Sequence, residues 1–169
     1  PLDLSLARAD GEDWIVQGEK MLHAVSRLPV PGRHNAINCM AALAMVQPWF
    51  ESDRLGEALM GFAGLPHRFA LVAERNQVAF INDSKATNGV AAACALAAYD
   101  SIYWIAGGEA KEDGLGPAAS ATANVRRAYL IGSSAADFAS TLDGKVPIRL
   151  SGDLETVSYT HLTLPTNGC

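Results

Sequence analysis

Short apolar runs broken by turn residues dominate the chain, and their period changes along it. Trp14-Ile15-Val16 and Met21-Leu22-His23-Ala24-Val25 read as two short strands separated by a turn at Gly18. Leu28-Pro29-Val30-Pro31-Gly32 interrupts the pattern, and a helix is predicted to open at His34 or Asn35. Within it Ile37, Met40, Ala41 and Ala44 recur at i, i+3, i+4 and i+7, which predicts an apolar stripe facing a core. Asn35 and Asn38 fall away from that stripe. They either cap and solvate the helix, the commoner use of Asn near a helix start, or present two amides to a ligand. Pro48 ends the helix, and a second is predicted over 53–62 with Leu55, Ala58, Leu59 and Phe62 on one face.

Gly64-Leu65-Pro66-His67-Arg68 is a boundary signal, because glycine and proline together stop a helix. Beyond it, Ala70-Leu71-Val72 and the run 78–81 flank Glu74-Arg75-Asn76-Gln77, which predicts a hairpin. A helix over 89–99 follows, then a strand over 102–106 ended by Gly107-Gly108. A short helix over 118–123, a strand over 127–131, a short helix over 135–140 and a strand over 146–150 complete the series. Strands alternating with helices predict an α/β fold, Rossmann-like, with a mostly parallel sheet flanked by helices. Residues 152–157 open like a helix capped by Asp153, but 158–166 have neither helical period nor helix-forming composition. That stretch reads as a terminal strand and loop or, the preferred reading, as a non-native tail. The start, without Met and already inside a β-region, invites the same expectation of a chain that was cut.

At 169 residues, 49% hydrophobic and 18% charged, the chain suits one globular domain or parts of two. A net charge of −5 gives no basic footprint, so no nucleic-acid partner is expected. No apolar run approaches the ~20 residues that span a bilayer, and no membrane partner is expected. Cys39, Cys94 and Cys169, like His23, His34, His67 and His161, show no metal-type spacing. Cys39 and Cys94 sit in Ala-rich helical patterns, where a free thiol behaves as a small hydrophobe. A reducing, cytoplasmic location is the expectation.

Candidate chemistry concentrates at residues 82–88, Asn-Asp-Ser-Lys-Ala-Thr-Asn, directly after the run 78–81. Ligands of open α/β sheets bind at the carboxyl ends of strands. An extended chain would point Asp83, Lys85 and Thr87 to one face and Ser84, Ala86 and Asn88 to the other. The helix near Asn88 would add backbone N–H groups, which favour an anion. Gly107-Gly108 would let a ligand approach the backbone, although a glycine pair also ends strands for steric reasons. Lys111 in isolation reads as a solvated charge; it gains weight because 83–88 would open on the same sheet edge. Arg68 is either a phosphate partner, since a guanidinium grips two oxygens, or half of a salt bridge at the boundary. The Gly-x-x-x-x-Gly-Lys-Ser/Thr, Gly-x-Gly-x-x-Gly and Gly-x-Ser-x-Gly motifs are absent. The residues alone describe an α/β domain with an anion-binding edge.

Taken together, the motifs resemble those of the Mur ligases. Gly32-Arg33-His34-Asn35-Ala36-Ile37-Asn38, followed by Ala41-Ala42-Leu43-Ala44, is similar to their helix that meets the nucleotide. Gly64-Leu65-Pro66-His67-Arg68-Phe69 is similar to their junction between central and C-terminal domains. The segment 82–88 resembles the signature of the branch that adds D-glutamate, and Gly107-Gly108-Glu109-Ala110-Lys111 completes the series in order. The resemblance covers about residues 10–157.

It implies an ATP- and Mg²⁺-dependent enzyme joining D-glutamate to UDP-N-acetylmuramoyl-L-alanine through an acyl phosphate, a monomer when full length. Residues 1–63 would be the end of the central ATP-binding domain, 64–157 a truncated C-terminal domain and 158–169 the tail. Carried over by motif, Asn35 and Asn38 would contact the adenine side of ATP, Arg68 its phosphates and Asp83 its ribose. Lys85, Thr87 and Lys111 would hold the carboxylates of D-glutamate. The uridine-nucleotide domain, the triphosphate loop and the metal ligands of that family are expected upstream of this chain. The family's last substrate contacts are expected after 157, so the polypeptide alone is expected not to ligate. Two other readings stay open: a related amide ligase adding another amino acid, or glutamate to folate, and a non-catalytic nucleotide-binding module.

Overall fold

The computed structural model describes residues 3–49, 57–110 and 112–157. It divides into two compact units, the first holding residues up to 72 together with 81–83, the second holding 73–80 and those from 84 onward.

In the first unit, β1 (Leu4–Ala9), β2 (Glu12–Gln17) and β3 (Lys20–Ala24) form an antiparallel sheet in that order. Asp10 and Gly11, at φ 54° and 81°, make the two-residue turn that right-twisted strands accept between β1 and β2. Helix α1 (Arg33–Val46) lies with this sheet around a core of Ile15, Leu28, Val30, Ala36 and Cys39. The predicted stripe is wrong in phase. Ala36, Cys39 and Leu43 are buried, whereas Ile37 is 50% exposed and Ala41 and Ala44 are exposed. The helix is apolar or small around most of its circumference, so periodicity could not set its rotation. Its buried face is the one that carries the small Ala36 and Cys39 together with Leu43. Of the helix predicted over 53–62, residues 57–60 are helical and 50–56 lie outside the described residues.

Strands β4 (Ala70–Arg75) and β5 (Val78–Asn82) form a two-stranded sheet of their own. Their turn is Asn76-Gln77, both at positive φ. In the second unit, β6 (Ile102–Gly107), β7 (Val125–Ile131) and β8 (Ile148–Gly152) form a parallel sheet with β7 central. β8 begins at Ile148 and not at Val146 because Pro147 has no N–H to donate to the ladder. Helices α2 (Gly89–Leu96) and α3 (Ala135–Leu142) and the tight turn Gly116–Ser120 accompany this sheet. The core is Leu96, Ala106, Leu115, Ala118, Ala128, Leu130, Phe138 and Leu142 with their neighbours. α2 stops three residues short of the predicted Tyr99, tightening into an Ala98 N–H to Ala95 carbonyl bond. The α/β prediction holds. The short α4 (Leu154–Thr156) is capped by Asp153, as its sequence predicted.

Candidate functional site

Within the first unit, the turn over 64–69 adopts a costly backbone. His67 and Phe69 sit at φ 63° and 50°, a region that bulky L-residues resist. Several contacts hold it there. The Arg68 N–H donates to the Leu65 carbonyl at 3.1 Å, and the Phe69 N–H donates to Asp83 Oδ1 at 3.0 Å. The buried Phe69 ring meets the His34 ring edge-on, with centroids 5.7 Å apart. Asn82 Nδ2 stands 3.0 Å from His67 Nδ1. The turn therefore presents the exposed Arg68 from a fixed backbone.

Asp83 is half-buried, and that burial pushes its carboxyl pKa up; the Phe69 N–H, His34 and Arg68 pull it back down. Burial lowers the His34 pKa, and the Asp83 charge opposes that. Arg68 and Asp83 are thus electrostatically coupled. Asn35 stands next to His34 in the first turn of α1 and donates from Nδ2 to the Pro31 carbonyl at 2.8 Å. Asn38, one turn on, is exposed. The structural use of Asn35 is therefore real, and its Nδ2 is committed to it. His34 and Phe69 were not singled out from the sequence. Their signal was their position, flanking Asn35 and Arg68 in two motifs separated by more than thirty residues.

The segment after Asp83 corrects an expectation. Residues 84–85 form a turn, and the Thr87 N–H donates to the Lys85 carbonyl at 2.9 Å. This tight turn removes the strand alternation, so Asp83, Lys85 and Thr87 do not share an extended face. The cause is Asn88, which caps α2 by accepting from the Ala91 N–H at 2.9 Å and fixes how the chain enters the helix. Lys85 and Thr87 are both exposed. Nor does 82–88 follow a strand of the parallel sheet, since β5 pairs with β4.

The carboxyl ends of β6 and β7 are closely joined. A Cβ on Gly107 would stand 1.9 Å from the Ile131 carbonyl oxygen, so this glycine is a steric requirement of strand approach. Gly108, at φ 104°, has open space where a Cβ would be. Its N–H donates to the Ile131 carbonyl at 3.2 Å, and its carbonyl accepts from Ser134 N–H at 3.2 Å and Ser133 Oγ at 3.0 Å. The Ala110 N–H donates to Ser134 Oγ at 2.6 Å. Lys111 lies outside the described residues. Among the described residues no group of His, Cys, Asp and Glu could hold a metal ion, and no helix is long and apolar enough to cross a membrane.

Comparison with known proteins decides what kind of chain carries these features. The UDP-N-acetylmuramoylalanine–D-glutamate ligase of Rhizobium johnstonii is 42% identical over 151 residues, 82% of this chain and 32% of its own length. That of Rhodospirillum rubrum is 49% identical over 126 residues, 74% of this chain and 26% of its own. This chain belongs to the Mur ligase family. No family model matches the sequence. The crystal structure of the UDP-N-acetylmuramate-alanine ligase of Thermotoga maritima superposes with a TM-score of 0.62 at 18% identity, over 88% of this chain and 36% of that one. At that identity the likeness concerns the fold, and the fold is that of a Mur ligase. The chain spans about a third or less of the length of the curated relatives it matches.

Proposed function

We propose that this chain carries part of an ATP-dependent ligase that adds D-glutamate to UDP-N-acetylmuramoyl-L-alanine, a step of peptidoglycan-precursor synthesis. The observation that carries this reading is the 42–49% identity, over most of the chain, to relatives bearing that ligase's name. In this reading ATP phosphorylates the substrate carboxylate, releasing ADP. The D-glutamate amine then attacks the acyl carbon, forms the amide and expels phosphate. The protein's task is to position anionic reactants and offset their charge.

The domain assignment is proposed as well: 1–63 as the end of the ATP-binding domain, 64–157 as C-terminal domain, 158–169 as a tail. Asn35, Asn38, Arg68 and Asp83 would hold ATP, and all four belong to the first unit. The fixed turn that presents Arg68, and the coupling of Arg68 to Asp83, suit a site for an anionic nucleotide. Lys85, Thr87 and Lys111 would hold the two carboxylates of D-glutamate. Among the described residues no group of side chains fits Mg²⁺. The full-length enzyme is proposed to be a cytoplasmic monomer, and the 169-residue chain alone to be inactive.

The test is a chimera: the Rhodospirillum rubrum ligase with its corresponding segment replaced by residues 10–157 of this chain. ADP release that requires both UDP-N-acetylmuramoyl-L-alanine and D-glutamate is the expected result. Turnover with another amino acid and none with D-glutamate would favour a sister amide ligase. No amino-acid-dependent turnover from a folded chimera would favour a non-catalytic nucleotide-binding module.

A further inference from the structure

Left-handed backbone at a bulky residue persists only where its surroundings fix it from more than one side. At Phe69, with φ 50°, those sides are a carboxylate and a ring. Asp83 Oδ1 accepts from the Phe69 N–H at 3.0 Å. The His34 ring meets the Phe69 ring with 5.7 Å between centroids and 86° between planes, the geometry in which a positive ring edge faces a negative ring face. His34 stands in the first turn of α1, and that turn is anchored by its own backbone. The Asn35 and Ala36 N–H groups both donate to the Gly32 carbonyl, at 3.0 Å and 3.1 Å. His34 is thus a ring on a fixed post, and it packs on the residue directly after Arg68. Asp83 faces His34 and Arg68 as well as the Phe69 N–H. Through His34 the start of α1, the turn of Arg68 and the carboxylate of Asp83 are joined, and all three belong to the first unit.

We infer that His34 is a positioning residue for the nucleotide: its ring braces Phe69 and so fixes the turn from which Arg68 meets the phosphates. The inference rests on the proposed function for the identity of the ligand. It does not place His34 against the nucleotide; His34 acts through Phe69. Its working part is the planar ring, so another ring of similar size serves in its place. A guanidinium on a fixed turn loses less freedom on meeting a phosphate than one on a loose turn, and that difference enters affinity.

Two measurements test it. In the 169-residue chain, amide hydrogen exchange at Phe69 is expected to be slow, faster in His34→Leu, which fills the space without a ring, and slow again in His34→Phe. Unchanged Phe69 exchange in His34→Leu overturns the brace. In the chimeric ligase, His34→Leu is expected to raise the KM for ATP about two- to tenfold, the worth of one aromatic pair beyond its buried area, with the KM for D-glutamate unchanged and His34→Phe restored. An equal rise in His34→Phe would mean that the imidazole itself meets the nucleotide, and overturns the positioning role. A lower melting temperature with an unchanged ATP KM would mean an ordinary structural role and overturn the inference, while leaving the proposed function intact. A folded chimera without any amino-acid-dependent turnover overturns the proposed function and the ligand half of this inference together. Phe69 exchange then still decides the brace.

Discussion

Phe69 holds a left-handed backbone that its side chain resists, and two groups from other parts of the first unit, His34 and Asp83, contact it there. Both are titratable, so the local structure is sensitive to pH. Burial sets the His34 pKa below its ordinary 6.5, with Asp83 limiting the drop. Between 6.5 and that lower folded value, the unfolded chain binds a proton that the folded chain does not. Stability from this group is therefore complete above 6.5 and is lost as pH falls through the folded pKa. Asp83 has the opposite sign: its raised pKa favours the fold below about its ordinary 3.8, and that benefit is lost as pH rises through its folded value. We expect an NMR titration of the His34 ring to give a midpoint under 6.5, and Asp83→Asn to move it lower still by removing the charge that supports the imidazolium. A midpoint that stayed put in Asp83→Asn would show that the two groups are not coupled.

At the scale of the element, the three helix starts in the second unit differ in how their first N–H groups are met. Asn88 and Asp153 cap α2 and α4 through their side chains, whereas Ser134 leaves α3 without that bond. Asn88→Ala is expected to lower the stability of the second unit by about 1 kcal/mol in urea titration, with loss of protection at the Ala91 amide. Retention of that protection would remove the cap from the account. These starts also show what was legible in the sequence. Asn88 and Asp153 could be read as caps because the residue type, the position and the following helical run agree. Ser134 could not, since its partner Ala110 lies on another element and no local pattern marks it. The same division holds for 82–88. Its polar residues were legible as chemistry, but the turn at 84–85 follows from how Asn88 feeds α2, and strand alternation was the wrong rule for it.

At the scale of the molecule, strands and helices were legible wherever their period was clear, as in β2 to β7 and in α3. The rotation of α1 was not, because a helix apolar on most sides carries no phase information. Its outer face, with Ile37, Met45 and Val46, and the neighbouring Trp49 are consequently exposed. Each unit has its own buried cluster, and that of the second, built around the central strand β7, is the larger. The two are expected to unfold separately. Trp14 and Trp49 report on the first unit and Trp104 on the second, so single-site Trp→Phe variants can resolve them. The Trp104 signal should show the higher urea midpoint; coincident midpoints would mean one cooperative transition.

The joined strand ends of the parallel sheet carry one more consequence. The N–H groups of Gly108, Gly132 and Ser134 donate to the carbonyls of Ile131, Gly152 and Gly108, and that of Ala110 to a serine hydroxyl. These four peptide donors, of the kind that many α/β proteins turn toward an anion, are already committed to the scaffold. A carboxylate arriving there would find those four amides already taken. Any hold it gained from exposed side-chain charge would weaken with ionic strength as solvated ion pairs do.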